Sequence, residues 1–139
     1  MVKPEIVRRK ISEAASRLDK AESILSRPPE EFLVDDEQQD LASFYLLLAV
    51  QECIDLAAHW IADEGWDPPQ ETSSLFDVLA SRQAIDRALA VGLRRAVALR
   101  NRIAHGYLSV DHERIQAEYQ TGIADLRRFL AAVASEAGL

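Results

Sequence analysis

One segment restricts the fold of this chain more than any other. Asp35 or Asp36 can cap a helix that runs to about Glu64, where Gly65 stops it, and from Leu41 to Val50 that helix is apolar nearly all round. One apolar face is enough to seat a helix on a bundle, so a second face asks for a partner on the far side. The apolar run is too short to span a bilayer and is followed by Glu52 and Asp55.

The remaining segments read as helices of the same bundle. A first helix is expected from about Pro4 to Ser26, with Val7, Ile11, Ala14, Leu18, Ala21 and Leu25 at 3–4 spacing. Pro28-Pro29 closes it, and the stretch to Asp35 reads as a loop. After the Gly65–Glu71 loop, Thr72, Ser73 or Ser74 caps a short helix over Leu75, Phe76, Val78 and Leu79. Asp86 opens an arginine-rich helix that ends at His105-Gly106, and Asp111 caps the last helix, to about Ala137. Val110 before that cap and Ile115 inside it form a hydrophobic staple. The expectation is an all-α antiparallel bundle of four long helices and one short one, a single domain over residues 1–139.

Composition narrows the function classes. Cys53 is the only cysteine, so no intramolecular disulfide and no thiolate metal cluster is expected. The N-terminal Met1-Val2-Lys3-Pro4-Glu5 lacks the apolar core of a signal peptide, which makes the cytoplasm the expected location, with no membrane partner. A net charge of −7 argues against indiscriminate nucleic-acid binding. The charge is uneven, however: from Arg82 to Arg102 six arginines face one acid, Asp86. These arginines either pair with acidic neighbouring helices or admit RNA at one place, with Arg95 and Arg102 as the candidate RNA contacts.

Arg100 is the odd member of that set. Leu89, Leu93, Ala96, Val97, Ile103 and Ala104 all fall within about 60° of it on a helical wheel, so a guanidinium sits in an apolar stripe. Burying it unpaired would cost several kcal/mol. It must meet a carboxylate, line a wet cleft or bind an anion, and Asp55 or Glu52 is a candidate carboxylate. His105 is five residues on, about 140° away on an unbroken helix, unless the end signalled by Gly106 lets it fold back toward Arg100. A plain histidine on the helix dipole is the competing reading. Asn101 either orients a phosphate or bonds locally, and Tyr107 follows the glycine where a phenol is reachable or packs on the bundle end.

Glu52, Asp55 and His59 lie three and four apart, but no Glu-x-x-His occurs and a third good ligand is lacking. Asp55–His59 reads better as a helix pair, so no metal and no cofactor is expected.

Arg100-x4-His105, with Asn101 after the arginine and Tyr107 two past the histidine, resembles the Arg-x4–6-His motif of HEPN-domain proteins, in the Arg-x4-His-x-Tyr form of the HepT subfamily. HepT proteins are the toxin half of HepT–MntA type toxin–antitoxin modules. Leu47-Leu48-Ala49-Val50-Gln51-Glu52-Cys53-Ile54-Asp55-Leu56-Ala57-Ala58-His59 looks like that family's long second helix, and Gly65-Trp66-Asp67-Pro68-Pro69 like its following loop. Leu99 stands where a phenylalanine is expected and keeps an apolar contact.

The resemblance implies an all-α homodimer, a metal-independent endoribonuclease toxin of a type VII-like module, and an MntA-like nucleotidyltransferase antitoxin that adenylylates Tyr107. Arg100, His105 and Asn101 become the expected catalytic set. RNA carries its own nucleophile, so such a site needs acid–base groups and a phosphate clamp, tasks suited to histidine and arginine. The expected products are a 2′,3′-cyclic phosphate and a 5′-hydroxyl, with two sets facing each other across one dimer cleft. The alternative is a non-catalytic helical module that docks a nucleotidyltransferase.

Overall fold

Proline at the first helical position and the 3–4 apolar spacing produce α1 (Pro4–Leu25), whose Val7, Ala14, Leu18, Ala21, Ile24 and Leu25 are buried. The computed structural model describes residues 3–106 and 110–139. A single helical turn, α2 (Pro29–Phe32), follows where the sequence predicts only loop. Pro29 presets the first backbone angle, and Phe32 is buried as its anchor while the Gln39 amide donates to the Phe32 carbonyl at 2.9 Å. Four residues are too few to show any apolar period, which is why the pattern misses this turn.

Asp35, the first of the two candidate caps, accepts from the Gln38 N–H at 3.1 Å and opens α3 (Asp36–Asp63). The short helix α4 (Leu75–Ser81) is entered through a 3₁₀ turn at Thr72–Ser74. None of the three hydroxyl residues expected to cap it makes a side-chain cap, because the 3₁₀ turn itself satisfies the first amides. Asp86 accepts from the Leu89 N–H at 2.7 Å and starts α5 (Arg87–Ala104). Asp111 accepts from the Arg114 N–H at 3.0 Å and starts α6 (His112–Glu136), with Val110 and Ile115 on either side both packed on the core.

The four long helices stand as an antiparallel square. Lys10 on α1 reaches Glu52 and Asp55 on α3 while Lys20 lies over the Tyr45 ring, so α1 and α3 run in opposite senses. Arg127 on α6 meets Asp19 and Glu22 on α1, and the Gln116 amide donates to the carbonyls of Leu25 and Arg27, which sets α6 antiparallel to α1. Arg128 to Asp86 sets α5 against α6 the same way. Trp60, Phe76 and Phe129 knit α3, α4 and α6 at one end, Phe76 meeting Phe129 edge-on at 5.1 Å between centroids. Among the described residues, α3 is the one helix long and apolar enough to cross a membrane, and half of its most apolar stretch is buried inside the bundle.

Candidate functional site

The apolar stripe of α5 explains where Arg100 can sit. Leu89, Leu93 and Val97 are buried against the bundle, but one turn later Arg100 and Ile103 are half-buried and Ala104 is exposed. The stripe therefore runs out of the core at Arg100, whose aliphatic stem stays on apolar surface while its head reaches the edge.

Two neutral oxygens hold that head. One terminal nitrogen of Arg100 donates to Gln51 Oε1 on α3 at 2.9 Å, and the other donates to Asn101 Oδ1 at 2.5 Å. Nε is buried and, among the described residues, makes no hydrogen bond. Among the described residues no carboxylate pairs with Arg100. The expectation that Asp55 or Glu52 would do so is corrected: both turn to Lys10 Nζ, at 3.6 and 3.5 Å. Asp55 also accepts from the Gln51 amide at 3.2 Å, so it is engaged there and with Lys10 rather than with His59. Asn101 bonds locally, its side-chain oxygen accepting from Arg100.

The chain does not turn back before His105. That residue's backbone is still helical (φ −79°, ψ −1°), and its N–H donates to the Asn101 carbonyl at 3.1 Å. The reversal starts at Gly106, at φ +63°, a left-handed angle that glycine takes without the penalty of about 1–2 kcal/mol that a Cβ brings. His105 thus stays exposed and about 140° round the helix from Arg100, with Asn101 between them.

Arg95 and Arg102 are exposed on the outer side of α5, within about 80° of His105 and roughly 140–160° from Arg100. The structure therefore brings Arg95, Arg102 and His105 to one face, with Asn101 at its border beside His105, and sets Arg100 round the corner. Arg94 is tied to Asp77. Tyr107 lies outside the described residues.

Gln51 is the site residue that the sequence reading missed. It had one signal, a Gln–Asp pair at i, i+4 on one face of α3, an arrangement that hydrogen-bonds on helices. Leu41, Phe44, Leu47 and Leu48 all lie within about 80° of it on the same helix. Phe44 is 52% exposed, Leu41 is also exposed, and Leu33 and Val34 just before α3 add to the patch. The second apolar face of α3 is thus present, and it leads directly to the amide that holds Arg100.

Other reactive groups lie elsewhere. Cys53 is fully buried, and its thiol is pushed well above the usual range by burial and then by the Glu52 charge, which removes thiolate chemistry. A cleft of about 430 Å³ between Trp60, Trp66, Arg82 and Glu136 lies at the opposite end, where α3 and α6 finish.

The arginine-rich helix of an antiparallel bundle thus ends on an Arg-Asn-x3-His set. The chain belongs to the HepT-like ribonuclease family, whose model matches residues 11–133. Its fold is similar to that of a toxin–antitoxin solved with AMP-PNP, at a TM-score of 0.87 and 22% identity over 94% of this chain and 98% of that one. It is also similar to the tri-AMPylated Shewanella oneidensis HEPN toxin in complex with MNT antitoxin, with a TM-score of 0.83 and 21% identity over 97% and 99% of the two chains. A mutant MntA–HpeT toxin–antitoxin gives 0.83 and 22% over 94% and 98%. At these identities the likeness is one of fold. No curated protein matches the sequence.

Proposed function

We propose that this chain is the toxin of a toxin–antitoxin module, a metal-independent endoribonuclease whose site is completed by a second copy of itself. The observation that carries the reading is Arg100: in a chain of the HepT-like ribonuclease family, a half-buried guanidinium is held by two neutral oxygens and keeps its charge for an anion. An RNA phosphate gaining charge as it becomes pentacoordinate is such an anion.

In the proposed reaction the 2′-oxygen attacks phosphorus and the bond from phosphorus to the 5′-oxygen breaks. One imidazole takes the 2′-OH proton while another protonates the departing 5′-oxygen, giving a 2′,3′-cyclic phosphate and a 5′-hydroxyl. One chain offers His105 on a different face from Arg100. A two-fold pair formed through the exposed stripe of α3 supplies two Arg100/Asn101/His105 sets to one cleft, with Arg95 and Arg102 tracking the backbone.

Control is assigned to Tyr107, two residues past His105, as the acceptor of an adenylyl group from an MntA-like nucleotidyltransferase antitoxin. The family motif and a fold neighbour that is a tri-AMPylated toxin bound to its antitoxin support this. Added negative charge there competes with RNA for the arginines. The reading places the chain in the cytoplasm, with RNA and its antitoxin.

The test is cleavage of single-stranded RNA in EDTA, with end-group analysis of the products. His105→Ala should lose about 10²–10⁴ in rate with the helical fold intact. Tyr107→Phe should stay active yet escape the partner. A chain that binds a nucleotidyltransferase but leaves RNA uncut is a docking module instead.

A further inference from the structure

Gln51 closes a chain of polar contacts that crosses three helices. Lys10 on α1 lies 3.6 Å from one oxygen of Asp55, the other oxygen of Asp55 accepts from Gln51 Nε2 at 3.2 Å, and Gln51 Oε1 accepts from Arg100 on α5 at 2.9 Å. The amide fits only one way round. Its NH₂ must face the carboxylate and its oxygen the guanidinium, since the reverse would set acceptor against acceptor and donor against donor. Lys10 offsets part of the charge of Asp55, being shared with Glu52, and the neutral amide keeps that carboxylate off Arg100.

We infer that Gln51 is a positioning residue for Arg100, fixing the guanidinium at the edge of α3 while leaving its charge uncompensated. A glutamate would keep an oxygen on the guanidinium and spend that charge, because a carboxylate–guanidinium pair is already an anion site filled from within, while its second oxygen would meet Asp55 acceptor to acceptor. With one N–H of each terminal nitrogen given to Gln51 and Asn101 and Nε buried, the second N–H of each terminal nitrogen is the donor left for a ligand. Phosphate recognition by arginine is often bidentate, so the tether sets which edge of the fork remains for the ligand. This rests on the nuclease reading above, which makes the ligand an RNA phosphate.

The experiment compares Gln51→Leu and Gln51→Glu with the unaltered chain in three measurements: thermal midpoint, cleavage of a single-stranded RNA oligonucleotide, and binding of that oligonucleotide in a His105→Ala background. Gln51→Glu should leave the midpoint close to that of the unaltered chain, the new pair with Arg100 offsetting the lost amide bond to Asp55, while lowering cleavage by about 10²-fold, the scale of one lost charge-stabilising donor. It should weaken binding to the level of Arg100→Gln, and have no further effect in an Arg100→Gln background. A purely structural Gln51 would instead lower activity in step with stability and independently of Arg100. Cleavage by both variants at the unaltered rate would overturn this inference and leave the nuclease reading standing. Should the unaltered chain fail to cleave, the nuclease reading falls, and binding decides the inference. An affinity lowered by Gln51→Glu only when Arg100 is present supports it, and an unchanged affinity overturns it.

Discussion

Asp125 of α6 lies against Gly92 of α5 so closely that a β-carbon at position 92 would collide with its carboxylate. Both residues sit in the interface between the helix that carries the arginines and the one that backs it. A glycine in mid-helix costs roughly 1 kcal/mol relative to alanine, and here the missing side chain leaves the space that the Asp125 carboxylate occupies.

Gly92→Ala therefore should destabilise the bundle, by about 1–3 kcal/mol, despite alanine's better helix propensity. Urea unfolding measures it. In an Asp125→Ala background the same substitution should cost little or become favourable, since the obstructing carboxylate is gone. An equal loss in both backgrounds would place the clash elsewhere.

Asp125 also gives the fold a pH signature. Burial is the main influence and raises its pKa above the ordinary aspartate range, Arg128 and Arg95 pull it down, and Asp86 raises it. A carboxyl with a raised folded pKa binds its proton more tightly when folded. Its contribution is best below the ordinary range and is lost as pH climbs from there through the raised folded value. Asp125→Asn should be more stable than the unaltered chain at pH 7, and the difference should vanish on acidification below the ordinary range. A less stable Asn variant at pH 7 would show that the two arginines outweigh burial.

Phe44→Glu should separate copies of the chain without unfolding them. Phe44 is half-exposed in the apolar patch on α3, so a carboxylate there costs little in a monomer and a great deal in a buried interface. Light scattering should give 15.5 kDa for the variant and twice that for the unaltered chain, with cleavage lost in the variant. A monomeric unaltered chain that cleaves RNA would remove the composite site.

Arg102→Gln and Arg95→Gln should each lower the slope of log affinity for RNA against log salt by about 0.7, the value for one released counterion on a single strand. Binding is read in the His105→Ala chain at several salt concentrations. Because Arg95 is partly committed to Asp125, its change in slope should be the smaller of the two.

The sequence exposed those parts of the molecule that repeat or stand at a boundary. The apolar periods of α1, α3, α5 and α6 and the aspartates at 35, 86 and 111 are legible because each reports a local rule: a buried stripe, or a carboxylate satisfying free amides. The turn at Pro29–Phe32 is not legible, because its one strong residue, Phe32, acts through a core assembled from elsewhere. The site was half visible. Arg100 stood out by conflicting with its own stripe, and that conflict pointed to a carboxylate partner on α3. The right helix and the right turn were indicated, but not Gln51, because a neutral amide advertises nothing until its neighbours are in place. Lys10, forty-two positions before Glu52, had already claimed both acids.

The uncovered leucines and phenylalanine of α3 bear finally on dosage. If two copies must meet before either site is complete, the fraction of competent molecules at low abundance rises with concentration, and the yield of cleaved RNA with roughly its square. A few stray chains in a cell would then be nearly harmless, while a modest surplus over the neutralising partner would cross quickly into damage. On that reading, apolar surface left open to water on one helix would become a threshold, set by how tightly the copies hold each other and not by the chemistry of the site.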